Sequence, residues 1–182
     1  MSSQQVTGRV CHAQFTDAVK LLAVTLDSIL SVDKHIVDGT RCCHYHIRAV
    51  RHIRRPLLTL NTAKSIAVSI VGCRLDYCNS VGLLYGMSQA NIDKLQRVQN
   101  ILARVVVGAP WSSSSLNIRR DLHWLPVGRR ITYKLCLATW KTLSVSAPST
   151  WNSLHAHIPS IDTLSTFKRH LKFHLFQSAF TV

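Results

Sequence analysis

The sequence predicts a mainly α fold, a helical bundle of five to six helices preceded by a short N-terminal β-hairpin. Three observations carry this. Apolar residues recur at steps of three and four from Asp33 almost to the C-terminus. The β-branched, strand-like run lies before that point. Gly, Pro and Ser clusters divide the periodic part into helix-length pieces. With 182 residues, 47% of them hydrophobic, the chain has enough apolar material for a packed core.

In order, Val10 to Phe15, a turn at Thr16-Asp17 and the run from Ala18 to Leu26 read as the hairpin. From Asp33 the period becomes helical, with Ile36, Cys43, Ile47 and Val50 on one side as far as the Arg55-Pro56 break. Gly39 weakens the first turns by about 1 kcal/mol relative to Ala, which moves the effective start toward Thr40. Thr62 to Leu75 is a buried helix with Ala63, Ile66, Ala67, Ile70 and Val71 on a broad apolar face. Cys78 to Met87 is a loop, and Ser88 caps a helix that turns Ile92, Leu95, Val98, Leu102, Val105 and Val106 inward. Gly108-Ala109-Pro110 stops it. A short helix runs to His123, and Pro126 suits the first turn of a helix from Val127 to Leu143. A short element spans Trp151 to His157. A last amphipathic helix from Asp162 has Leu164, Phe167, Leu171 and Leu175 inward and Lys168, Arg169 and Lys172 outward.

Charge narrows the function. Lys and Arg outnumber acids 22 to 8, for a formal charge of +14, and the default partner of such a chain is a polyanion. Every acid is an Asp, at positions 17, 27, 33, 38, 76, 93, 121 and 162, and no two are adjacent. Two-metal phosphoryl transfer needs carboxylates converging on ions about 4 Å apart, so the inventory argues against such an enzyme. No nucleophile elbow, phosphate-binding Gly loop or dinucleotide fingerprint is present. Asp76 and Asp121 are expected to bond local backbone, or Arg74 and Arg120. The six cysteines form no evenly spaced disulfide framework and the N-terminus lacks a signal-peptide core, which points to an intracellular setting, nucleus or cytoplasm not distinguished. The most apolar windows, 65–73 and 135–140, fall short of the ~20 residues that span a bilayer, so no membrane partner is expected. Cys42, His46, Cys73 and Cys78 carry zinc-type ligands, but without a C-x2-C or knuckle spacing no metal is expected.

Several strings in collinear order over residues 18–180 give the chain a resemblance to a known family: VKLLAVTLDSILSVDKHI, YHIRAVRHIR, RLDYCNS, LLYG, IDKLQRVQNILARVV, DLHWLPVGRRITYKL, APSTWNSL and LSTFKRHLKFHLF. Together they are similar to the C-terminal part of jockey-like LINE (non-LTR) retrotransposon reverse transcriptases. The resemblance implies that the hairpin follows the Asp-Asp catalytic turn, that this turn lies upstream of residue 1, and that the following helices are a thumb gripping template and primer. The family copies RNA into DNA with magnesium; for this chain no cofactor, no small-molecule substrate and no polymerase activity are expected. The sequence departs from the family at Ala23, where Gly is usual, near Val81-Gly82, where a residue is added, and between Leu143 and Ser146, where an internal deletion is implied.

The expected division is a palm-end hairpin remnant over 1–31, a thumb-like helical region over 32–109, a region carrying LHWLP and RITYK over 110–145, and an amphipathic tail over 146–182. The candidate nucleic-acid contacts begin with Arg41, His44, Arg48, Arg51 and Arg55, which recur along one helix face almost without acids. A solvated face is the alternative reading of that stripe. Lys94, Arg97 and Arg104 on the thumb-like helix follow, then Arg129, Arg130 and Lys134. Arg130 serves equally as an anchor for the Leu125-Pro126 turn. Tyr133 and Trp140 are read as core rather than as base-stacking platforms. The partner expected is RNA, DNA or their hybrid, held without sequence preference. Two alternatives remain: a non-functional translated remnant, and a domesticated basic helical DNA-binding or scaffold protein.

Overall fold

The computed structural model describes residues 18–29, 31–77, 84–146 and 163–180 and, within these, all side chains except those of residues 55–57 and 143–146. The fold is mainly helical: among the described residues an antiparallel hairpin precedes six helical rods. The first rod is α1 (Asp33–Leu57). The second is a continuous run of α2 (Leu60–Ala67), a π-helical turn (Val68–Gly72) and α3 (Cys73–Leu75). Then come α4 (Gln89–Val107), α5 (Ser115–Asp121), α6 (Val127–Ser146) and α7 (Leu164–Phe180).

The hairpin is shorter than the sequence predicts. The run read as one strand folds back on itself as β1 (Ala18–Leu21) and β2 (Val24–Asp27), with Ala18 opposite Asp27 and Leu21 opposite Val24. The expected strand over Val10 to Phe15 and the Thr16-Asp17 turn lie outside the described residues. Two residues make the turn, Leu22 at φ 47° and Ala23 at φ 63°. Positive φ at both positions is the twist-matched hairpin turn that usually takes Asn-Gly, and an L side chain there costs about 1–2 kcal/mol. The sequence carries no Gly to announce it, which is why the turn was not read. Docking compensates: Val24 is buried, and the Tyr77 hydroxyl donates to the Leu22 carbonyl at 2.8 Å.

Helix α1 starts at Asp33 rather than near Thr40. Asp27 accepts from the backbone N–H of Ile29 and Ser31 at 3.1 and 2.7 Å, and the Ser31 hydroxyl accepts from Asp33 N–H at 3.0 Å. These bonds fix the chain entering the helix, so Gly39 is carried inside it. Ile36, Cys43, Ile47 and Val50 are buried as the spacing predicts.

The second rod begins at Leu60, with Thr59 accepting from Thr62 N–H at 3.3 Å, and it is not uniform. Ala63, Ala67, Val71 and Leu75 are buried at strict four-residue spacing. On an α-helix that spacing drifts about 40° per step, and the wider π turn takes up the drift. Ile70, expected on the buried face, is turned outward and is 39% exposed.

Helix α4 is the central post. Ser88 precedes it, but its hydroxyl makes no capping bond; its carbonyl accepts from Asn91 and Ile92 N–H instead. Leu95, Val98, Leu102, Val105 and Val106 are buried as expected, joined by two unexpected polar residues, Asn91 and Gln99. The helix ends on Gly108 at φ 71°, with Ala109 N–H returning to the Arg104 carbonyl. Two long-range bonds show that α1 and α4 run parallel. Near their starts Asn91 donates to Asp33 at 2.5 Å; near their ends Arg54 donates to the Val106 carbonyl at 2.5 Å.

Gln96 and Gln99 join α4 to the start of α6. Gln99 donates to the Leu125 carbonyl at 2.8 Å, and Val127 N–H donates to Gln96 at 2.9 Å. The hydrophobic cluster runs from Val24 through α1 and α4 to Val127 and Ile131, across both the 31/32 and 109/110 boundaries. Helix α6 continues to Ser146, past the expected end at Leu143, and α7 stacks Phe167 on Trp140 at 5.5 Å. Leu175 is buried, whereas Leu164, Phe167 and Leu171 are half-buried. The element expected over Trp151 to His157 lies outside the described residues.

Candidate nucleic-acid interface

The stripe on α1 is a surface feature whose geometry follows from the helix repeat. Ile36, Cys43, Ile47 and Val50 are buried, and on the adjoining face Arg41, Arg48 and Arg51 are exposed and His44 is half-buried. The side chain of Arg55 lies outside the described ones. Arg41 to Arg51 spans about 15 Å at 1.5 Å per residue. That is about four phosphates of one strand at 3.4 Å each. Tyr45, 70% exposed, sits beside the stripe with its ring edge-on to His46. Among the described residues one carboxylate answers the row: Asp38 stands 3.8 Å from Arg41, with the two side chains 53% and 81% exposed, a pair too wet to fix either.

The structure divides the other candidates into exposed cations and structural ones. Arg97 and Arg129 are exposed. Lys94 is exposed and donates to Asn91 at 3.1 Å. Lys134 is half-buried in a cavity of about 260 Å³ that also has Tyr133, Trp124 and Lys172 in its wall. Arg130 enters the same cavity and pairs with Asp76. This corrects the local partner expected for Asp76: α6 brings in an arginine 54 residues away, which no local pattern could reveal. Arg120 likewise serves a distant acceptor, the Phe180 carbonyl at 2.8 Å.

Arg104 donates through Nε and Nη2 to the Ser113 carbonyl at 3.3 and 3.2 Å, and its guanidinium lies 5.4 Å from the Trp111 ring centroid. Arg51 and Arg104, from two stripes separate in sequence, meet in one cleft with Arg54 and Trp111. The sequence reading missed Arg54, which donates to the Val106 and Leu58 carbonyls at 2.5 and 2.7 Å and so serves the negative C-terminal ends of both helices. It also missed Trp111, whose neighbours in sequence resemble any polar loop. Arg119 is buried, its Nε donating to the Ser115 carbonyl, and burial lowers its pKa.

Burial, then the neighbouring Cys42, pushes the Cys43 thiol up to about 11, so it is a packing residue rather than a thiolate ligand. Among the described residues no group of three or more His, Cys and Asp side chains is arranged to hold a metal ion, and no helix is long and apolar enough to cross a membrane. Tyr133 is half-buried, its hydroxyl pKa raised by desolvation. Comparisons with protein-family models, curated proteins and solved structures find no match to the chain.

Proposed function

We propose that this chain is the thumb-side, post-catalytic part of a jockey-like LINE reverse transcriptase, and that it holds the backbone of RNA, DNA or their hybrid without reading sequence and without polymerising. The observation that carries the binding is the exposed row Arg41, Arg48 and Arg51 on α1, answered among the described residues by one loose carboxylate. Guanidinium groups in such a row release counterions from a polyanion, and this sets affinity whatever the base sequence. The origin rests on the resembling strings and their collinear order, and several of those strings pack on one another. Gln99 of RVQN bonds Leu125 of LHWLP, and Asp76 of RLDYCNS pairs with Arg130, the first residue of RITYK.

Filter binding of the full chain to RNA, DNA and hybrid duplexes at rising salt tests this. Affinity should fall linearly in log–log form and be equal for unrelated sequences; binding that is absent or indifferent to salt rejects it. Product in a magnesium-dependent primer-extension assay overturns the non-enzymatic part. One observation favours a second reading, a remnant without function: Leu21 and Leu22 are 57% and 90% exposed, apolar surface of the kind a further sheet would cover. A cooperative thermal transition of the isolated chain counts against it.

A further inference from the structure

The cleft at the C-terminal ends of α1 and α4 encloses about 340 Å³, within the ~300–1,000 Å³ of small-ligand sites, and among the described residues no carboxylate lines it. Arg51, Arg54 and Arg104 contribute three guanidinium charges there. Against them stand roughly half a negative charge from each of two helix ends, so the cleft is net positive. Two of the three arginines are occupied: Arg54 ties α1 to α4 and its own C-terminal turn, and Arg104 pins the loop through Ser113. Arg51 is exposed and makes no hydrogen bond or ion pair with another described residue.

Trp111 stands at the rim. Pro110 and Ser113 close a turn, Ser113 N–H to the Pro110 carbonyl at 3.2 Å, and hold the indole outward at 65% exposure. Arg104 lies over the ring, its guanidinium 5.4 Å from the centroid. An exposed ring beside an uncommitted arginine suits a planar base joined to a phosphate, which meets both groups by stacking and by charge.

We infer that this cleft takes an unpaired nucleotide, its base stacked on the exposed Trp111 ring and its phosphate on Arg51. The inference rests on the nucleic-acid-binding reading and adds to it a preference for a strand end or unpaired segment over continuous duplex. Arg104 is a positioning residue, setting the indole plane.

Fluorescence anisotropy with the full chain tests it on three probes: a blunt duplex, the same duplex with a short single-stranded overhang, and that overhang made abasic. The overhang should bind at least about five-fold tighter than the blunt duplex, the low end of base–aromatic stacking. The abasic probe and W111A should each remove that gain, and W111F should keep part of it, while blunt-duplex affinity and its salt slope stay as in the parent. Equal affinity for all three probes, with the salt slope intact, overturns the cleft and leaves the backbone-binding reading standing. No binding to any probe overturns both. Heparin affinity reduced by W111A as much as overhang affinity also overturns the cleft, because it would assign the site to charge density without a base.

Discussion

Removing two cations from the α1 stripe tests whether those charges meet phosphates or only water. In R48A/R51A both substituted side chains are exposed and neither takes part in the buried cluster, so the fold should survive, as checked by an unchanged helical circular dichroism spectrum. If each arginine neutralises one phosphate, the slope of log affinity against log salt should become shallower by about 1.8, two contacts at 0.9 each on duplex DNA. Over a fourfold rise in salt, from about 50 to 200 mM, that difference amounts to a factor of about 12. The variant's deficit should therefore be largest in dilute salt and shrink about twelve-fold across the range. Anisotropy titrations of parent and variant at several salt concentrations measure it. A deficit that is the same at every salt, or an unchanged slope, would refute the phosphate-contact reasoning and return the stripe to a solvated face. Asp38→Asn gives the opposite perturbation: releasing Arg41 from its loose pair should steepen the slope.

Ala23→Gly should stabilise the protein by about 0.5–1 kcal/mol, because relief at φ 63° exceeds the entropy Gly adds to the unfolded chain, and a melting point higher by a few degrees would register it. Arg54→Ala should destabilise by about 2–3 kcal/mol, since it strips a charged donor from two helix-end carbonyls; urea unfolding measures the loss, and a change below about 0.5 kcal/mol would contradict the tether. His35 is shifted below its ordinary 6.5, chiefly by desolvation and against the pull of Asp38, and its Nδ1 accepts from Thr25 N–H at 3.5 Å. A histidine depressed on folding contributes stability that is whole above pH 6.5 and is lost as pH falls from there through its folded value. Denaturation midpoints should therefore drop as pH falls below 6.5, and His35→Gln should flatten that part of the curve.

The helices were legible because each carries its own signal. Asp33 to Leu57 repeats its apolar residues at helical spacing, and Gly108 stands where a left-handed residue must end α4. The hairpin was legible as strand but not in register, since Leu22 and Ala23 occupy the turn without the residues that normally announce it. The candidate site divided in the same way. Arg41, Arg48 and Arg51 could be read because helical periodicity alone decides that they share a face, and a charge of +14 needs no coordinates to imply a polyanion.

Which arginines are spent inside the molecule is a different kind of fact. Arg130 meets Asp76 and Arg54 meets Val106 because α4 lies parallel to α1 and α6 packs against it, and Arg104 meets Ser113 and Trp111 because the loop after α4 turns back on the helix. A side chain reaches a few ångströms and does not know sequence distance. The sequence by itself therefore determined the helical class, the charge and the exposed stripe, which are properties of composition and local repeat. Tertiary packing decided which cations stayed uncommitted, and it gathered Arg51, Arg104 and Trp111 into one cleft.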